Sequence, residues 1–143
     1  MILLVEDDPD DELLMQMALK DSNIDCEMAI ARDGVEALEF LFGKGKHAGR
    51  DPALMPALIL LDLKLPKMNG IDVLRHIRSH ERTRMIPVVV LTSSIQDQDM
   101  IDCYRLCANS YIQKPLNFDE FAHVVRQLGM YWLKINKLPG GLA

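Results

Sequence analysis

The sequence has no long apolar run. Its longest unbroken stretches, Met1–Val5 and Ala57–Leu61, are five residues each, against the roughly 20 that a membrane-spanning helix needs. The expectation is a soluble chain with no membrane partner. There is no room for a secretory leader either, because the first strand candidate begins at Ile2. Cysteine is scarce: Cys26, Cys103 and Cys107 are an odd set whose spacing suits no disulfide framework. They read as small buried reduced thiols, which suits the cytoplasm. An excess of positive charge is also missing. Sixteen bases stand against 21 acids for a net charge of −5, so nothing points to a nucleic-acid partner.

Metal-ligand spacings are thin as well. Cys103 and Cys107 lie four apart on one helix candidate, and His76 and His80 share that spacing on another. Neither pair has third and fourth ligands nearby in sequence, so solvent-facing histidines are the simpler expectation. No repeat or low-complexity segment interrupts the chain. The whole, residues 1–143, is expected to be one domain with a core over about 2–128 and an extension from 129 to 143.

What is present is a strict alternation of short apolar runs and helix-period segments. Strand candidates are Ile2–Val5, Met28–Ala31, Leu58–Leu61, Val88–Leu91 and Tyr111–Ile112. Helices are expected over Asp10–Asp21, Gly34–Phe42, Gly70–His80, Ile95–Cys107 and Phe118–Lys134. Leu13, Leu14, Met17 and Ala18 would line the inner face of the first helix, and Phe121, Val124, Val125 and Leu128 that of the last. Asp33 with Glu36, and Asn117 with Glu120, have capping-box spacing. Five strands alternating with five helices imply an α/β fold, a parallel sheet covered on both faces. Right-handed crossovers with one reversal of winding give the order 2-1-3-4-5, with the site at the strands' C-terminal ends.

Two segments exceed what that fold needs. Gly43–Pro56 is a polar insertion without the spacing of a phosphate-binding loop, expected to be a mobile surface feature rather than a partner loop. The tail from Met130 to Ala143 carries Met130, Tyr131, Trp132, Leu133, Ile135 and Leu138. It either packs on the domain or forms an interface.

Chemistry concentrates where strands end. Six carboxylates and no base lie between Glu6 and Glu12, and Asp62 follows the third strand. In a 2-1-3 order those ends are neighbours. Two like charges about 4 Å apart repel by roughly 4 kcal/mol at an effective dielectric of 20, so the cluster calls for a proton or a cation. All-oxygen ligation suits Mg²⁺. Asp10, Asp11 and Glu12 read more simply as complements to the first helix's dipole. Thr92-Ser93 ends the fourth strand and Lys114-Pro115 the fifth. Acids, a nucleophilic carboxylate, a hydroxyl and an ammonium at one edge form the inventory for phosphoryl transfer to a carboxylate.

The motifs ILLVEDD, LILLDLKLPKMNG, VVVLTSS and SYIQKP resemble those of two-component response-regulator receiver domains, over about residues 2–128 and in the family's order. The resemblance implies a flavodoxin-like doubly wound sheet and a phospho-acceptor at Asp62. It also implies Mg²⁺ (or Mn²⁺) held by Asp7, Asp62 and the Lys64 carbonyl, with Glu6 acting through water. Thr92 and Lys114 would meet the phosphoryl oxygens, and Tyr111 would be the aromatic switch. The implied partner is a sensor histidine kinase or phosphotransfer protein. The YWLKINKLP tail and the long loop narrow the resemblance to regulators of bacterial and cyanobacterial phytochrome kinases. With no output domain expected after Ala143, the signal would leave through protein contacts, including a homodimer using the fifth helix and tail. The chain would then be a switch that catalyses only its own phosphotransfer and dephosphorylation.

Three other readings stand beside this one. An aspartyl-nucleophile phosphatase needs a general acid two residues after the nucleophile, where this chain has Lys64. A flavodoxin-like mononucleotide carrier needs a hydroxyl- and glycine-rich loop where EDDPDD stands. An inactive pseudo-receiver adaptor would not need the full acid, threonine and lysine set.

Overall fold

The computed structural model describes residues 1–22, 24 and 26–139. Its elements run β1 (Ile2–Val5), α1 (Pro9–Asp21), β2 (Met28–Ala31), α2 (Gly34–Phe42), β3 (Leu58–Leu61), α3 (Gly70–Ser79), β4 (Val88–Thr92), α4 (Asp97–Arg105), β5 (Ser110–Gln113) and α5 (Phe118–Met130). All strands are parallel, in the order β2-β1-β3-β4-β5. This is the strand order that the alternation implied and the flavodoxin-like doubly wound sheet that the resemblance implied. No helix among the described residues is long and apolar enough to cross a membrane.

Side-chain alternation along the strands explains the two-sided core. Leu3, Val5, Ile59, Leu61, Val88 and Val90 pack with Leu41, Val73, Leu74 and Ile77 from α2 and α3. Ile2, Leu4, Leu58, Leu60, Val89 and Leu91 pack with Met15, Leu19, Phe121 and Val125 from α1 and α5. Each central strand therefore needs an unbroken apolar run, and each has one, with β4 ending in the hydroxyl of Thr92. In the registers, Val5 stands beside both Ala31 and Leu61. The residues that follow, Glu6 and Asp62, leave the sheet side by side.

Several boundaries and faces differ from expectation. The inner face of α1 is Met15, Ala18 and Leu19, whereas Leu13 and Met17 are 56% and 54% exposed. Two apolar triplets four residues apart give this helix two equivalent stripes, and docking on the sheet selects one. The fourth helix starts at Asp97, not Ile95, because Gln96 is extended (φ −79°, ψ 125°), and it ends at Arg105 before Cys107 at φ 61°. The last α-helix stops at Met130, and Tyr131–Ile135 continue it as a wider π turn. In the α5 stripe, Phe121, Val125 and Leu128 are buried as expected and Val124 packs against the same core.

Asn117 caps α5 by accepting from the Asp119 and Glu120 amides. Asp33 caps α2 through the Glu36 amide at 2.7 Å, but Glu36 reaches back to the Arg32 amide rather than to that of Asp33. The 43–56 insertion folds against α2 instead of standing free. The Arg50 guanidinium lies 3.8 Å over the Phe40 ring and donates to the Phe40 carbonyl, while His47 meets Glu36 at 3.2 Å. In the tail, Trp132 and Leu133 pack on the α1–α5 core, whereas Tyr131 and Ile135 stay exposed. The packing half of the expectation holds for Trp132 and Leu133, and residues 140–143 lie outside the described residues.

Sequence patterning gave no sign of Arg78, which ties three segments together. Its guanidinium donates to the carbonyls of Cys107, Arg84 and Ile86 and to Asn109 Oδ1 at 2.8–3.2 Å. Arg78→Ala should lower stability by about 2 kcal/mol, the scale of losing charged donors to half-buried acceptors. A urea midpoint indistinguishable from that of the unsubstituted protein would contradict this.

Candidate functional site

The ladder hydrogen bonds run one residue past the strands and set the site. The Glu6 amide donates to the Ala31 carbonyl at 3.0 Å, and the Asp62 amide to the Val5 carbonyl at 3.1 Å. Glu6 is 1% exposed and Asp62 6%, while Asp7 faces solvent. One carboxylate oxygen from each of Glu6, Asp7 and Asp62 lies within 4.8 Å of the others. The structure thus brings together three acids from two strand ends.

Lys114 enters from the end of β5 and holds this group together. Its Nζ is 2.5 Å from Glu6 Oε1, 2.8 Å from Asp11 Oδ2 and 3.0 Å from Asp62 Oδ2. Its own amide donates to the Thr92 carbonyl at 2.7 Å, pinning the ends of β4 and β5 to each other. Asp11 therefore does more than complement the dipole of α1, contrary to expectation. It lies in the first turn of α1, which starts just past the end of β1. Asp8, not the residues after it, caps α1, accepting from the Asp10 amide at 2.9 Å.

The remaining polar atoms are accounted for. Glu6 Oε2 accepts from the amides of Asp7 and Asp8 at 3.1 and 3.4 Å. Asp62 Oδ1 accepts from the amides of Leu63 and Lys64 at 2.7 and 3.3 Å, and the Lys64 side chain points out to solvent. Thr92 is fully buried, and its Oγ1 accepts from the Ser94 amide at 3.3 Å. The Tyr111 hydroxyl donates to the Ser94 carbonyl at 3.3 Å.

Electrostatics divides the two buried acids. Burial pushes the Glu6 carboxyl up to about 8, with the Asp62 charge adding to the rise and the Lys114 hydrogen bond opposing it. Burial also works to raise Asp62, but the Lys114 charge and hydrogen bonds with Glu6, Lys114 and Thr92 outweigh it. The Asp62 carboxyl is held below the usual carboxylate range. Burial alone would lower the Lys114 ammonium, yet its bonds to Asp11 and Glu6 and the charge of Asp62 hold it above the ordinary lysine range. Near neutral pH Asp62 is thus an ionised carboxylate oriented beside a fixed cation.

The donor set fits a divalent cation. Three carboxylates within 4.8 Å supply hard oxygen ligands, and the exposed face at Asp7 leaves room for the ion's own waters. The bonds of Lys114 go to Glu6, Asp11 and Asp62, which leaves Asp7 outside the lysine's reach. The histidine and cysteine pairs form no such group. His80 Nδ1 meets the His76 carbonyl at 2.8 Å, and both histidines are exposed. Cys103 is buried, but Cys107 lies on the surface, its left-handed backbone having turned it out of the helix.

The turn after Asp62 depends on Gly70. A Cβ there would lie 2.2 Å from the Asp62 carbonyl oxygen and 2.6 Å from Leu63 Cα, both backbone atoms. Gly70→Ala should therefore cost about 3 kcal/mol, the upper end for an added methyl group in a packed site. Denaturant melts of the two proteins test this, and coincident curves would refute it.

Comparison with known proteins agrees with this geometry. Residues 2–126 match the family model described as "Response regulator receiver domain". The chain is 42% identical to "Response regulator Rcp1" of Synechocystis sp., over 96% of this chain and 92% of that protein. The crystal structure of the Mn²⁺-bound form of Rcp1 aligns at a TM-score of 0.90 and 42% identity, covering 97% of this chain and 98% of that one. The phosphorylated cyanobacterial phytochrome response regulator RcpA aligns at 0.90 and 40% identity, covering 97% of each. With a doubly wound sheet of the same order, an acidic cluster at its C-terminal edge and a family match over nearly its whole length, the chain belongs to the response regulator receiver domain family.

Proposed function

We propose that the chain is a phospho-accepting switch in which Asp62 receives a phosphoryl group from a sensor histidine kinase or phosphotransfer protein. The observation that carries this reading is the Lys114 ammonium 3.0 Å from a buried, ionised Asp62 inside a three-carboxylate cluster. An oxygen of Asp62 attacks phosphorus while the bond from phosphorus to the donor imidazole breaks. The electron pair stays with the ring nitrogen, and the donor imidazole, protonated at its other nitrogen before the transfer, leaves as the neutral ring. Lys114 and the Thr92 hydroxyl meet the phosphoryl oxygens as charge shifts onto them. Asp7, Asp62 and the Lys64 carbonyl would hold Mg²⁺ or Mn²⁺, with Glu6 acting through water because both its oxygens already carry hydrogen bonds. When bound, the ion offsets charge on the transferring group. Hydrolysis of the acyl phosphate resets the switch.

Residues 1–143 act as a single receiver unit with its core over about 2–128, and the protein works in the cytoplasm without nucleic acid or membrane. The likeness to RcpA supports a phytochrome kinase as the donor. Phosphorylation favours a second arrangement of Thr92 and Tyr111. The signal leaves through protein contacts, including a homodimer through α5 and the tail, where Tyr131 and Ile135 are 49% and 61% exposed. The chain is read as a switch with no other substrate, because the position two residues after Asp62, where an aspartyl-nucleophile phosphatase needs a general-acid carboxyl, holds the exposed Lys64.

Incubation with acetyl phosphate and Mg²⁺ tests the reading by intact mass. One added phosphoryl group is expected, with none when a chelator replaces the metal. No mass gain would leave the inactive pseudo-receiver. Sizing chromatography of the same samples reads the dimer.

A further inference from the structure

Helix α4 begins without a side-chain cap of its own. Gln96, at the N-cap position, makes no capping bond. The first turn is instead held by Ser94, two residues earlier, which is only 4% exposed. Ser94 Oγ donates to Asp99 Oδ2 at 2.5 Å and accepts from the Gln96 amide at 3.3 Å. A hydroxyl bonded to a carboxylate at that distance is a strong, charge-assisted clasp.

The other polar atoms of Ser94 are spent on the site. Its amide donates to Thr92 Oγ1, and its carbonyl accepts from the Tyr111 hydroxyl, both at 3.3 Å. A threonine hydroxyl has one proton to give. With the Ser94 amide approaching its oxygen from one side, the Thr92 proton must point elsewhere. Thr92 ends β4, and Asp62 follows β3, the strand paired beside it, so the Asp62 carboxylate lies at the same edge as that hydroxyl. The aim of that proton is therefore set by where the Ser94 amide sits.

We propose that Ser94, clasped to Asp99, is a positioning residue for phosphoryl transfer: it holds the Thr92 oxygen from behind and ties its orientation to the first turn of α4. The proposal rests on Asp62 being the acceptor. It makes α4 a participant in the chemistry, because any partner that draws Asp99 away loosens the aim of Thr92.

Initial rates of phosphoryl uptake from acetyl phosphate, at saturating Mg²⁺ and varied acetyl phosphate, test this. Ser94→Ala should lower the maximal rate about tenfold with the half-saturating concentration unchanged, since misalignment by a fraction of an ångström acts on the transition state. Asp99→Ala should do the same, and the double variant should be no slower than either single one. Asp99→Asn keeps an acceptor oxygen and should restore most of the rate. In a Thr92→Val background, Ser94→Ala should change nothing further. Single variants within twofold of the unsubstituted rate, or an undiminished Ser94→Ala effect without the Thr92 hydroxyl, would overturn the proposal. Should Ser94→Ala not fold, Asp99→Ala at the half-buried end of the clasp carries the same test. Failure of the unsubstituted protein to take up phosphate would bring down the acceptor assignment and the clasp together. Normal uptake with indifferent variants sinks the clasp alone.

Discussion

Asp62→Asn should abolish phosphoryl uptake from acetyl phosphate while leaving the protein folded. An asparagine oxygen can still accept from the Leu63 and Lys64 amides, as Asp62 Oδ1 does at 2.7 and 3.3 Å. The turn after β3 therefore keeps its bonds. What disappears is the anionic nucleophile of the proposed transfer, which no conformational adjustment replaces. Lys114 loses one of its three carboxylate partners but keeps Glu6 and Asp11. The cluster also sheds one of its mutually repelling charges, so the two effects oppose each other and stability should shift by less than about 2 kcal/mol. Intact mass reads the first outcome and a thermal melt the second. Uptake at the original rate would move the acceptor elsewhere in the acidic edge, with exposed Asp7 the nearest candidate.

Much of this site was legible because a parallel sheet constrains its strands so tightly. Burial on both faces demands unbroken apolar runs, and β1, β3 and β4 supply them. Once the strands are set, residues just past their C-terminal ends must converge, so Asp7, Asp62, Thr92 and Lys114 could be grouped without coordinates. The structure agrees on their proximity. What patterning could not decide was the rotation of α1, whose Leu13-Leu14-Met15 and Met17-Ala18-Leu19 triplets satisfy a helical stripe in two ways. Nor could it separate Asp11 from its acidic neighbours, since only the third dimension sends that carboxylate to Lys114. The clasp between Ser94 and Asp99 escaped for another reason. A capping hydroxyl is sought at the residue next to the helix, and here it sits two residues upstream, which displaces the helix start from Ile95 to Asp97. Local chemistry also left the contacts of the 43–56 insertion undetermined. Its glycines and charges suggest a free loop, but Arg50 and His47 find partners on α2 that no short-range rule anticipates.

Lys114→Met is the substitution with the largest expected cost to the metal-free protein. The lysine side chain is 10% exposed and bridges Glu6 at 1%, Asp62 at 7% and Asp11 at 23%. Removing it strands carboxylates that have lost contact with water, the case in which breaking a buried ion pair costs about 3–5 kcal/mol. The cost should fall toward the lower end, because Glu6, already pushed up to about 8 by burial, can keep its proton near neutral pH. Urea unfolding in the presence of a chelator gives the number. Adding Mg²⁺ should then stabilise the variant more than the unsubstituted protein, since the ion binds a more negative cluster and binding shifts the folding equilibrium by mass action. Phosphoryl uptake should nevertheless fall sharply, because the cation proposed to meet the incoming phosphoryl oxygens is gone. Stability and chemistry thus part company: the metal can offset the charge that lysine neutralised, but it cannot stand where the ammonium stood. A variant more stable than the unsubstituted protein in chelator would mean that desolvating Lys114 costs more than its three carboxylates return.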